Sequence, residues 1–214
     1  WRALEAGELP GLVVTAGTAM YGLDVMGGLI AGQALVVTGP GPIGLMGVGV
    51  AKALGAQPVI LTGTHADSRR LELGRKLGAD HVVNVHTEDA VAAVRRITDG
   101  KGCHYVLECS GAPNAVNEAA RMLNRGGRIC LAAFPQEPAR VDIAYLVSNN
   151  IYLFGIRGEG KSATHRAAAL MQQRRFDASL IHTHTFPLQD VPTSIRYSRE
   201  RNDDAIKVVV KLRH

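Results

Sequence analysis

The feature that most constrains this chain is the turn Gly39-Pro40-Gly41-Pro42-Ile43-Gly44, which directly follows the apolar run Ala34-Leu35-Val36-Val37-Thr38 and directly precedes a stretch of helical periodicity. In a G-x-G-x-x-G turn the first glycine permits the tight bend, the second lets backbone approach a pyrophosphate, and the third lets the helix pack closely on the strand. Here those positions are Gly39, Gly41 and Gly44, with Pro42 and Ile43 opening the helix. The unpaired N–H groups and positive end of that helix would face the phosphates, so the turn needs no lysine. Taken alone, the pattern also fits an ordinary glycine turn. A strand before it, a helix after it and a second strand from Pro58 form the arrangement that marks a dinucleotide site.

Apolar runs alternate with helical patterns from residue 34 onward. Strands are expected at 34–38, 58–62, 81–85, 105–108, 128–132 and 151–154, and helices at 43–54, 68–77, 88–98, 112–123 and 161–174. Gly55 and Gly78 stand just past two of these helices, where a left-handed residue closes the last turn. The pattern predicts an α/β Rossmann fold, a doubly wound sheet of six parallel strands built by right-handed crossovers. A helix at 16–29 leads into the first strand. A tail at 180–186, 191–199 and 205–211 reads strand, helix, strand and breaks the alternation, as a piece of a second domain would. The expected division is 1–32 as a leading linker helix, 33–175 as the dinucleotide-binding domain and 176–214 as the returning segment.

Composition narrows the partners. The 214 residues carry a formal net charge of +5, but lysines and arginines are interleaved with acids, and Arg95-Arg96, Arg174-Arg175 and Arg199-Glu200-Arg201 fall on expected helices. These read as solvated helix faces rather than a nucleic-acid surface, and a mildly basic chain suits a phosphate-bearing cofactor. No run approaches the ~18 apolar residues of a bilayer span, and residues 1–10 lack the order of a signal peptide. Cys103, Cys109 and Cys130 have no C-x-x-C spacing and cannot all pair, which points to a reducing, cytoplasmic compartment. His182 and His184 could share one strand face as metal ligands would, yet no third ligand stands nearby, so no metal site is assigned. Cys109 ends the fourth strand and is read as filling space.

An NAD-binding turn expects an acid at the end of the second strand, where it accepts from the adenosine ribose. That strand ends Leu61-Thr62-Gly63-Thr64-His65, with Asp67 only later. A carboxylate there would repel a 2′-phosphate, so its absence permits NADP; Thr64, His65, Arg69 and Arg70 are the available donors, and NADP is read ahead of NAD. The two arginines equally fit the solvated start of a helix. Other chemistries fail on the residues. No tyrosine stands four residues before a lysine, as short-chain dehydrogenases require, and neither a G-x-x-x-x-G-K-[ST] loop nor a G-x-S-x-G elbow occurs.

With these residues in place the chain resembles the medium-chain dehydrogenase/reductase family, in particular its zinc-type alcohol, polyol and threonine dehydrogenases. The likeness is carried by the glycine turn with Leu45, by Ala51-Lys52-Ala53-Leu54-Gly55-Ala56, Leu77-Gly78-Ala79-Asp80, Glu108-Cys109-Ser110-Gly111-Ala112, Gly126-Gly127-Arg128, Phe186-Pro187-Leu188 and Ala205-Ile206-Lys207-Val208-Val209. The resemblance implies hydride transfer between a secondary alcohol and nicotinamide. It places Ser110 and Gly111 by the adenosine half, and Thr18, Ala132, Ala133, Phe134, Gly155 and Ile156 by the nicotinamide half. It leaves Arg157 as the residue to touch an alcohol or polyol substrate, and it implies a dimer or tetramer. Family members also have an N-terminal domain holding the catalytic zinc. Nothing here corresponds to it, and Gly11-Leu12-Val13-Val14-Thr15-Ala16 offers no ligand. Zinc is therefore expected only through a missing domain, with a zinc-free quinone-reductase-like relative as the alternative, and this chain alone should bind cofactor and turn nothing over. Two readings from other classes are a non-catalytic nucleotide-sensing or interaction module and an S-adenosylmethionine methyltransferase; the latter predicts an acid where Gly63 stands.

Overall fold

The computed structural model describes residues 9–158 and 160–212. Residues 1–8, most of the stretch searched for a signal peptide, lie outside them. Helix α1 (Leu9–Val25) leads into β1 (Leu35–Thr38), α2 (Pro42–Ala53), β2 (Val59–Gly63), α3 (Ser68–Leu77), β3 (His81–Asn84), α4 (Ala90–Ile97), β4 (Cys103–Glu108), α5 (Ala115–Met122) and β5 (Leu123–Leu131). Then follow α6 (Ile143–Ser148), β6 (Tyr152–Gly155), α7 (Lys161–Gln172), β7 (His182–Pro187), α8 (Val191–Glu200) and β8 (Lys207–Lys211). Six strands pair in the order β3-β2-β1-β4-β5-β6, all parallel, which is the doubly wound sheet expected.

Strand alternation divides the core. Leu35 and Val37 face α1, α2, α3 and α7, with Leu61, Leu107 and Cys130 beside them. Val36 faces the other way, with Ile60, Val106 and Ile129, against α4, α5 and α6. Side chains of a strand point alternately to its two faces, so a sheet covered on both sides needs continuous apolar runs such as these.

Two expectations are corrected. The leading helix runs Leu9–Val25 rather than 16–29, because Gly27 and Gly28 adopt positive φ and end it. Helix α6 was not anticipated: its six residues are too few for a helical period to show, and it starts where the Asp142 carboxylate accepts from the Tyr145 N–H at 3.0 Å. The tail forms a separate two-stranded parallel sheet, β7 with β8. Yet Phe176, Ala178, Ile181 and Ile206 are buried in the same core as α1 and α2, so the returning segment is anchored on the sheet's first face.

Candidate dinucleotide site

Parallel pairing brings the carboxyl ends of three strands level: Thr38 of β1 stands opposite Thr62 of β2 and Glu108 of β4. The order in which successive strands are added reverses between β1 and its parallel neighbour β4, which opens a crevice at the strand ends. A cavity of about 340 Å³ lies there, lined by Gly39, Gly41, Gly63, Thr64 and Ser110 among others. Its size falls in the range of roughly 300–1,000 Å³ typical of small-molecule sites.

The turn is built by close approach. A Cβ at Gly44 would lie 2.0 Å from the Gly39 carbonyl oxygen, and one at Gly39, whose φ is +85°, would meet the Ser110 backbone at 2.9 Å. A Cβ at Gly41 would meet nothing within 4 Å. Gly41 also caps α2, and among the described residues no side-chain cap bond is made at the start of that helix. The cradle therefore presents backbone donors at a helix N-terminus to open space, which fits a pyrophosphate.

Beside the cradle, Glu108 is buried, and its Oε1 accepts from Thr38 Oγ1 (3.2 Å), Ser110 N (2.7 Å), Ser110 Oγ (2.5 Å) and Gly111 N (3.0 Å). One carboxylate thus pins the β4 loop against β1. Cys109 lines the cavity; burial, then Glu108 and Cys130, push its thiol well above the usual range, so it stays protonated.

The strand end that lacks an acid is closely packed. A Cβ on Gly63 would meet Leu71 and the Pro40 ring, each at 3.0 Å, so a side chain there would have to press these neighbours aside by a few tenths of an ångström. The carboxylate arrives instead from Asp67, at the end of a 3₁₀ turn over His65–Asp67. Asp67 is buried and lines the cavity, and its Oδ2 accepts from Thr64 N (3.0 Å) and Thr64 Oγ1 (2.7 Å). Its Oδ1 takes Arg201 Nη1 at 3.1 Å. Burial alone would raise the carboxyl, but the Thr64 hydrogen bonds and the Arg201 and Arg70 guanidiniums outweigh it and hold it below the ordinary carboxylate range. Sequence reasoning read Arg201 only as part of a solvated helix face; it lies in the tail, just past α8, and no local pattern connects it to the turn.

The remaining expected residues are dispersed. His65 is exposed and Arg69 pairs with Asp204 at 3.0 Å, so neither lines the cavity. Arg70 is buried and donates to the Ala205 carbonyl at 2.6 Å. Thr18 donates to the Val14 carbonyl within α1. Ala133 and Phe134 pass beside Gly111, Phe134 being strongly exposed, while Gly155 ends β6 and Ile156 and exposed Arg157 follow it; none of these lines the cavity. His184 Nε2 meets Asp203 Oδ2 at 3.2 Å, and His182 Nε2 meets Thr185 Oγ1 at 2.9 Å. Among the described residues no three His, Cys, Asp or Glu gather as a metal would need, and no helix is long and apolar enough to cross a membrane.

Comparison with known proteins agrees with this geometry. The sequence profile described as "Zinc-binding dehydrogenase" matches residues 42–173. An L-threonine 3-dehydrogenase of Pyrococcus horikoshii is 37% identical over 166 residues, covering 76% of this chain and 47% of the relative. One from Bacillus licheniformis is 33% identical over 195 residues, covering 90% of this chain and 55% of the relative. Among solved structures, an alcohol dehydrogenase of Thermotoga maritima superposes with a TM-score of 0.85 at 29% identity, over 94% of this chain and 56% of that one. The chain spans about half the length of the curated relatives it matches. Glycine cradle, strand order and these matches together place the chain in the medium-chain dehydrogenase/reductase family, among its zinc-binding dehydrogenases, whose cofactor is a nicotinamide dinucleotide.

Proposed function

We propose that the chain is the cofactor-holding portion of an NAD(P)-dependent alcohol or polyol dehydrogenase, in which hydride passes between a secondary alcohol and nicotinamide. The observation that carries this reading is the unobstructed cradle at Gly41 opening onto the strand-end cavity. When bound, the cofactor supplies the hydride acceptor or donor, and this chain's residues bind and orient it. Gly39, Gly41, Pro42, Ile43 and Gly44 take the pyrophosphate. Gly63, Thr64, Ser110 and Gly111 flank the adenosine half. Thr18, Ala132, Ala133, Phe134, Gly155 and Ile156 lie toward the nicotinamide, with Arg157 facing substrate.

The described residues do not fit a zinc ion, so no step is routed through one; zinc, where the longer protein uses it, would come with a domain upstream of this chain. NADP is favoured over NAD because Gly63 withholds an acid and Arg201 counters Asp67. Self-association is supported by the outer edge of β6, which no strand among the described residues covers, and by the exposed Val147 and Tyr152 near it. Titrating the chain with NADPH and with NADH tests the reading, with quenching or enhancement of the reduced nicotinamide fluorescence expected; failure of both to bind at about millimolar concentration, where specific affinity is exhausted, overturns it.

A further inference from the structure

NADP and NAD differ only at the adenosine ribose, so selection between them falls to whatever charge stands at that end of the cavity. The residues there come from two places 134 positions apart in sequence. Thr64 and Asp67 close the turn after β2, and Arg201 follows α8 with a left-handed backbone, φ 56°. Asp67 and Arg201 both line the cavity and are bonded to each other at 3.1 Å. Two further contacts hold the Arg201 stretch against α3: Arg70 donates to the Ala205 carbonyl at 2.6 Å, and Arg69 pairs with Asp204 at 3.0 Å.

We propose that Arg201 is the residue that selects the cofactor, offering a 2′-phosphate the N–H groups it does not spend on Asp67. This rests on the dinucleotide-binding reading above. Asp67 is poorly placed to receive ribose hydroxyls, because its Oδ2 already accepts two bonds from Thr64 and its Oδ1 one from Arg201. Its charge, which alone would repel a phosphate, is neutralised by that same guanidinium. A guanidinium has five N–H donors in a rigid fork that matches phosphate oxygens two at a time. Among the described residues only Nη1 of the Arg201 side chain is engaged, and the side chain is 60% exposed, so it meets a phosphate with little desolvation. Asp67 then acts as a positioning residue that aims the guanidinium. Arg69, the arginine nearest the turn in sequence, is turned away on Asp204.

The test is titration of the full chain and of Arg201→Ala with NADPH, NADH, adenosine 2′,5′-bisphosphate and adenosine 5′-monophosphate. In the unaltered chain NADPH and the bisphosphate should bind at least about tenfold tighter than their counterparts. Arg201→Ala should cost NADPH and the bisphosphate about tenfold or more, as loss of a charge-assisted phosphate contact does, while NADH stays within about threefold. Arg201→Lys, which keeps the charge but not the fork, should recover only part of the loss. An equal effect on NADPH and NADH, or an unaltered chain that prefers NADH, overturns the assignment of Arg201 while leaving dinucleotide binding intact. Failure of the unaltered chain to bind either dinucleotide overturns the proposed function itself. Thermal melts of each variant separate lost selection from lost folding, and Arg201→Lys, which keeps a charge beside the buried Asp67, should melt closest to the unaltered chain.

Discussion

A methyl group added at Gly44 would lie 2.0 Å from the Gly39 carbonyl oxygen, whereas one added at Gly41 would meet nothing within 4 Å. The two positions therefore fail differently. Gly44→Ala should destabilise the fold by about 3 kcal/mol or more, since the obstructing atom is backbone and cannot rotate away; urea unfolding measures it. Gly41→Asp should leave melting unchanged and abolish NADPH and NADH binding, because side chain and charge would occupy the pyrophosphate's place. Retained affinity in a folded Gly41→Asp would refute the cradle. Glu108→Ala strips the acceptor from the Ser110 and Gly111 N–H groups. These donors are partly buried, so a loss of about 1–3 kcal/mol is expected in the same urea experiment.

Between elements, His104 at the start of β4 accepts from the Ala34 N–H on Nδ1 at 3.2 Å and so ties β4 to the chain entering β1. Burial lowers its pKa. A base with a depressed folded pKa binds protons more readily when unfolded, so its contribution to stability is full above the unfolded value of about 6.5 and is lost as pH falls from there through the folded value. Denaturation midpoints should accordingly drop from pH 7 toward pH 5, and His104→Gln should flatten that slope; an unchanged slope would remove His104 from the account. Asp67 adds a second acid-side loss at lower pH, because its carboxyl is held below the ordinary range and must protonate on unfolding. Helix α6, which no sequence pattern announced, shows the limit of periodicity at this scale. It starts at a capping residue, Asp142, but its single buried residue, Leu146, makes no repeat.

At the scale of the sheet, no strand among the described residues pairs with the outer edge of β6, and Val147 and Tyr152 are exposed close by. Open edges with apolar neighbours pair with other chains. Sedimentation of Val147→Glu combined with Tyr152→Lys should give a smaller species than the unaltered chain, and a unaltered chain that is monomeric at every concentration would end that proposal. The sheet, its six strands and the cradle were readable from residues 34 to 155 because each depends on short-range rules: alternation, helical period, and glycines where backbone comes close. What tertiary structure alone decided is the far end of the cavity. Leu71 and Pro40 pack closely on Gly63, Asp67 supplies a carboxylate from a turn, and Arg201 reaches that carboxylate from the other end of the chain. Such a pairing leaves no periodic trace in sequence, since only the packing of the returning segment on the sheet's first face sets the distance between its members.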